Sequence, residues 1–172
     1  MISWLCFEWK TSGLAKSEAA FPSLTLRPAE KSEEDGVAKA IKSAFWMDSA
    51  WADVSRPLTE KLAVDLEAAF SLPEPSCVVL IHGTRVIGAS VLDPNPDAAN
   101  HLLSGPCILH EYRNRGLASG LLAASLAFLE KREVPLARGL TRANSLTARF
   151  IYLKFGGLPH PFLGDPLKLK AD

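Results

Sequence analysis

Neither sign of charge predominates in this sequence: Lys and Arg total 19, and Asp and Glu total 19. That balance argues against a nucleic-acid binder working through a general positive field, though not against a local basic patch. Cysteine is scarce. Cys6, Cys77 and Cys107 are odd in number and widely spaced, so no disulfide framework is suggested, and free thiols fit a reducing cytosol. The longest apolar-plus-small run, Leu117 to Leu129, falls well short of the ~20 residues that span a bilayer. The start, Met1 to Lys10, has no basic leader and is interrupted by Glu8 and Lys10, so no signal peptide is expected. There is no Gly-x-Ser-x-Gly elbow, no Gly-Lys-Ser/Thr phosphate loop, no triple-glycine dinucleotide spacing and no internal repeat. Cys107-x-x-His110 is one pair without a second, so no metal is expected. A cytoplasmic protein without nucleic-acid or membrane partners is the default expectation.

What is present suits one globular domain: 172 residues, 48% apolar and 22% charged, enough for a real core. Residues 1–23 do not match the remainder of the chain. They read as an N-terminal extension, either a flap on the body or a partner, or a frayed end. The domain, 24–172, opens with a short strand at Leu24 to Pro28. Ser32-Glu-Glu-Asp35 resembles a capping box ahead of a helix carrying Val37, Ala40, Ile41, Ala44 and Phe45. After a break at 46–57, Thr59 to Phe70 is a second helix. Cys77 to Ile81 and Val86 to Leu92 form a hairpin. His101 to Leu109 is another strand, interrupted by Gly105-Pro106, where a bulge or a splayed edge is expected. A helix to about Lys131, a strand at Leu136 to Arg142 and a helix at Ser145 to Phe155 come next, the last closed by Gly156-Gly157. The proline-rich tail supplies one or two edge strands. This order is that of an α/β (α+β) fold: a mixed, mostly antiparallel sheet with a strand–helix–strand unit.

The chemistry-bearing stretch runs from Cys107 to Leu122. A strand leads into a turn with Arg113 and Arg115, then into a helix opening with Gly116, Ala118, Ser119 and Gly120. Amides at a helix start lack internal partners and the dipole is positive there. Small residues leave the approach open, which suits a phosphate or pyrophosphate. The plain alternative is an amphipathic helix with a basic first turn, but arginine has the wrong sign for a helix N-terminus unless an anion sits there.

Arg113-x-x-Gly116-x-Ala118 resembles the Gln/Arg-x-x-Gly-x-Gly/Ala signature of the GCN5-related N-acetyltransferases. Ala148-x-x-x-Tyr152-x-x-x-Gly156 on the next expected helix, and the opening Leu26-Arg27-Pro28-Ala29, extend the resemblance over about residues 24–157. It implies acetyl-CoA as cofactor without a metal, and helices on both faces of a sheet that splays between its fourth and fifth strands, here His101–Leu109 and Leu136–Arg142. It implies backbone contacts from Ile108, Leu109 and His110 to the pantetheine arm and thioester carbonyl. Residues Arg113, Asn114, Arg115, Gly116, Leu117, Ala118 and Ser119 would hold the pyrophosphate. Tyr152 would approach the sulfur and protonate the leaving thiolate; by residue type alone it is a core-edge aromatic. The family's Asn seven residues before the Tyr falls at Ser145, with Asn144 one earlier. These two inherit the cofactor contact, unless Ser145 is simply the helix N-cap.

His110 and Glu111 are the nearest candidates for a base, with a water chain as the alternative. The acceptor, a small-molecule or peptide amine, is expected beneath the first two helices, at Trp46, Asp48, Trp51 and Asp53, where aromatic faces and carboxylates suit a cation. A homodimer is possible, and so is a competing class: a regulatory module that binds acyl-CoA without turnover.

Overall fold

The computed structural model describes residues 3–14 and 21–168. In chain order the elements are β1 (Trp4–Lys10), β2 (Leu24–Pro28), α1 (Glu34–Trp46), α2 (Ser55–Phe70), β3 (Cys77–His82), β4 (Arg85–Val91), β5 (Cys107–Ile108), α3 (Leu117–Lys131), β6 (Leu136–Arg142), a π-helical turn (Thr147–Ile151) and β7 (Leu158–Phe162). They form two sheets, ordered β2-β3-β4-β5 and β6-β1-β7. Every strand pair among the described residues is antiparallel.

The apolar run of β3 is explained by burial on both faces. Val78 and Leu80 turn toward α3, joining Leu121, Leu122 and Leu126. Cys77, Val79 and Ile81 turn the other way, joining Val37 and Ile41 of α1 and Leu62 and Leu66 of α2. Burying one such leucine stabilises by roughly 1.5–3 kcal/mol relative to exposure.

Residues 4–10 do not behave as an extension. β1 is the middle strand of the second sheet, with Trp4 opposite Arg142 on one side and opposite Phe162 on the other. Its alternation places Phe7 and Trp9 in the core, while Glu8 and Lys10 are not buried. The tail contributes one edge strand, β7, in which Pro159 and Pro161 alternate with the residues facing β1. The donors they lack would otherwise face an open edge, which blunts strand addition.

The expected strand at His101 to Leu109 is split. Its first part lies between the sheets: Leu102 forms an isolated antiparallel bridge with Leu92, while the amides of His101 and Leu102 both donate to the Arg138 carbonyl, at 2.8 and 3.1 Å. Its last part, β5, pairs with β4 as a regular ladder. The chain crosses between them at Gly105, whose φ of +64° lies in the left-handed region that glycine adopts without a Cβ penalty. The two sheets therefore part at Ser104–Pro106, and β5 and β6 share no ladder. The parallel pair expected of the strand–helix–strand unit does not occur among the described residues: β5 and β6 lie in different sheets.

Two smaller expectations shift. The capping contact before α1 lies earlier than Ser32, with the Glu30 amide donating to the Glu33 carboxylate at 3.1 Å. The helix expected over 145–155 is a π turn followed by a 3-10 turn. The Tyr152 amide reaches back five residues to the Thr147 carbonyl at 2.9 Å. A wider turn of this kind re-aims the side chain after it, here Tyr152 into the core.

Candidate active site

A groove of about 380 Å³ opens where the sheets part. One wall is β5 with the turn leading into α3; the other is the π turn and Lys154. The end of α1 and the following turn close it with Ala44, Phe45, Asp48 and Trp51.

The turn before α3 is built as an anion cradle. Asn114 and Gly116 have positive φ, +63° and +74°, a fold-back that aims successive amides inward. Among the described residues, the amides from Asn114 to Ser119 donate to no protein acceptor, whereas the Arg113 amide is taken by the His110 carbonyl at 3.2 Å. Arg113 itself donates to the Ala44 carbonyl at 3.0 Å, tying the turn to the end of α1. Arg115 lies over the Tyr112 ring. Lys154 crosses the mouth to Ser119 Oγ at 2.7 Å, adding a cation that the sequence reading missed.

β5 presents one backbone unit to the gap. The Leu109 amide donates to Ile87 at 2.8 Å and is unavailable, contrary to expectation. Successive residues of a strand point their backbone groups to opposite sides, so Ile108 directs its N–H and C=O away from β4. Cys107 also lines the groove, but burial pushes its thiol up to about 12. That disfavours the thiolate a cysteine nucleophile would need.

The remaining expected residues scatter. Ile108, Arg113, Asn114, Gly116, Leu117, Ala118, Ser119, Asp48 and Trp51 meet in the groove. His110 and Glu111 stand exposed outside it. Glu111 pairs with Arg85 at 2.8 Å; a hydrogen bond from its own backbone, then Arg85, holds its carboxyl below the usual range, which weakens it as a base. Asn144 is exposed. Buried Ser145 accepts from the Ala148 amide at 3.1 Å, a helix-capping role. Trp46 is 80% exposed and borders a separate apolar groove between α1 and α2. Asp53 is held by the buried Arg142 guanidinium, which also donates to the Ala50 carbonyl at 2.9 Å. It anchors the turn that carries Trp51, its carboxylate engaged by Arg142 while the side chain stays 60% exposed.

Tyr152 is 1% exposed and packs edge-to-face on Phe7 at 5.4 Å. It borders a second cavity of about 40 Å³, joined to the groove's walls through Phe45, Trp51, Ser104 and Thr147. Its hydroxyl faces Gly105: a Cβ there would stand 2.6 Å from it. Burial raises the phenol above its ordinary value, so it stays protonated.

A family model described as the Acetyltransferase (GNAT) family matches residues 41–156. The chain belongs to the GNAT acetyltransferase family. The match runs from within α1 to Gly156, leaving out β1, β2 and β7. No curated protein matches the chain at a significant level. A GCN5-related N-acetyltransferase structure from Sphaerobacter thermophilus is similar at TM-score 0.68 and 14% identity, over 93% of this chain and 49% of that one. A Drosophila protein is similar at TM-score 0.63 and 14% identity, over 94% and 50%. A GNAT-family protein from Novosphingobium aromaticivorans gives TM-score 0.54 and 14% identity, over 93% and 61%. These likenesses establish the acyl-CoA N-acyltransferase fold, and the chain spans about half the length of the first two proteins. The groove of this GNAT domain fits coenzyme A chemically: unpaired amides and cations where a diphosphate would lie, and an open strand edge where an amide-bearing arm would lie.

Proposed function

We propose that this protein is an N-acetyltransferase that moves the acetyl group of acetyl-CoA to a primary amine by direct attack in a ternary complex. The observation that carries this reading is the convergence, in one groove, of the unpaired amides of residues 114–119 and the outward-facing backbone of Ile108.

The amides from Asn114 to Ser119, with Lys154 and Arg115 beside them, bind the diphosphate. Ile108 orients the pantetheine arm and offers its N–H to the thioester carbonyl oxygen, where a well-placed donor is worth about 3 kcal/mol. Bound acetyl-CoA supplies an activated acyl group on a thiol leaving group. Tyr152, kept protonated by burial, gives the thiolate its proton. The demanding step is the amine. With a pKa of about 10.4, only roughly one in 2,500 is neutral at pH 7, equivalent to about 4.6 kcal/mol. The site therefore needs a proton acceptor near the amine.

Calorimetric titration with coenzyme A, followed by thiol release from acetyl-CoA with a panel of amines, tests this reading. Binding with release supports it. Binding without release for any amine favours a non-catalytic acyl-CoA-binding module, and absence of binding removes both.

A further inference from the structure

The acceptor side of the site contains a buried ion pair that the chemistry above leaves unused. Lys61 Nζ donates to both oxygens of Asp65, at 3.0 and 2.9 Å, and the Asp65 side chain is 2% exposed. It lies on the apolar stripe of α2, between Leu62 and Leu66, where a carboxylate loses hydration and a hydrophobic residue would pack at no such penalty. The pair borders the cavity of about 40 Å³ that also takes in Tyr152, Asn100, Thr141 and Thr147. That volume admits water, and the wall offers the several polar partners that water needs. Ser104 and Thr147 border both this cavity and the groove, so the cavity sits against the inner end of the cleft, on the side of α2.

We infer that Asp65, held by Lys61, is the proton acceptor for the incoming amine, acting through water in this cavity. The assignment rests on the acetyltransfer reading above. The ammonium passes one proton through water to Asp65. The freed lone pair forms the carbon–nitrogen bond to the acetyl carbon, the carbon–sulfur bond breaks, and the thiolate keeps that electron pair. The second nitrogen proton replaces the one Tyr152 gives to sulfur, and Asp65 later returns its proton to solvent. The products are an amide, a thiol and one released proton.

Among the described residues, the titratable and charged groups around Asp65 are Lys61 on its own helix, Asp93 from the loop after β4, and Tyr152 across the cavity. The C-terminal turn packed on α2 brings Pro166 and Leu167 to the cavity, while its charged Lys168 is 84% exposed and pairs with Asp165 at 3.7 Å. Burial raises the Asp65 carboxyl above its ordinary value; Lys61 opposes this and Asp93 adds to it. A raised carboxylate is a better base than the exposed Glu111.

The test is thiol release from acetyl-CoA between about pH 6 and about pH 10 with spermidine, 2-phenylethylamine and a lysine-containing peptide, a range that reaches an amine's own pKa. Wild type, Asp65→Asn and Lys61→Gln are compared, each titrated calorimetrically with coenzyme A and melted to check its fold. Asp65→Asn is expected to lose about 100-fold in kcat/KM near neutrality, with the deficit closing as pH nears the pKa of the amine, while coenzyme A binding is kept. A loss uniform across pH, or no loss, overturns the assignment. Lys61→Gln removes the cation that lowers the Asp65 pKa, so the acid limb of kcat/KM moves to higher pH; an unmoved limb overturns it too. If wild type binds no coenzyme A, the acetyltransfer reading falls and this inference with it. If wild type binds it but releases no thiol with any amine, the acetyltransfer reading gives way to a binding module and the base assignment falls with it. If all three bind and turn over with coincident profiles, only the base assignment falls.

Discussion

Trp9 and Tyr152 meet edge to face, with ring centroids 5.0 Å apart. This contact joins the N-terminal strand to the residue proposed to protonate the leaving thiolate. The Trp9 indole also donates to the Lys154 carbonyl at 2.9 Å, so one buried ring holds the C-terminal side of the π turn that lines the groove. Edge-to-face pairs add about 0.5–1.5 kcal/mol beyond area burial.

Trp9→Ala is expected to destabilise the protein by about 3–5 kcal/mol. The measurement is the denaturant midpoint, with the slope of the transition unchanged. A loss below about 0.5 kcal/mol, the range of surface substitutions, contradicts a structural role for β1.

Tyr152→Phe keeps the ring packing against Phe7 and Trp9 and removes only the hydroxyl. Turnover should fall by about 100-fold, as for loss of a positioned acid, with coenzyme A affinity unchanged by calorimetry. Equal turnover in the two proteins removes Tyr152 as the acid.

Gly105→Ala places a methyl 2.6 Å from the Tyr152 hydroxyl, on a residue with φ of +64°. The expected cost is about 1–3 kcal/mol. In the double variant with Tyr152→Phe part of it should return, because the clash is gone while the backbone strain stays. A double-mutant cycle with coupling below about 0.5 kcal/mol would mean that the hydroxyl does not lie against this turn.

His101 makes stability fall with acid. Its Nδ1 accepts the Arg138 amide at 2.9 Å and its Nε2 bonds the Asn95 carbonyl at 2.9 Å, a pattern that needs the neutral ring. Burial lowers its pKa below the usual 6.5, opposed in part by Asp93. The unfolded chain therefore binds the proton first. The contribution is complete above pH 6.5 and is lost as pH falls toward the folded value. Equilibrium unfolding at pH 7.5 and pH 5.5, on either side of the ordinary histidine value, should show a drop that His101→Gln reduces. An unchanged drop excludes His101 as its source.

Local signals were readable wherever structure is set locally. The turn and small-residue opening of α3 followed from Arg113 to Gly120, and a break in the strand followed from Gly105-Pro106, while the splay of the sheet came from the family resemblance. Elements set by distant partners were not. Phe7 and Trp9 alternate as a strand should, yet nothing near them names β6 and β7 as neighbours. Asp53 looked like a free carboxylate because Arg142 is far away in sequence. The π turn has no residue signature, and with an α-helix assumed there, Lys154 fell outside the expected site. Asp65 did carry a signal: a charged residue on the buried stripe of α2, adjacent to Leu66 and four residues from Lys61.

The central position of β1 has a consequence for how the chain matures. β1 is synthesised before everything it pairs with, and both its partners come at the far end of the sequence. The first sheet and its helices can assemble while Phe7 and Trp9 wait without their permanent neighbours. Contacts of such long sequence separation form slowly, so docking of this strand, which seats Tyr152, is expected to come late in folding.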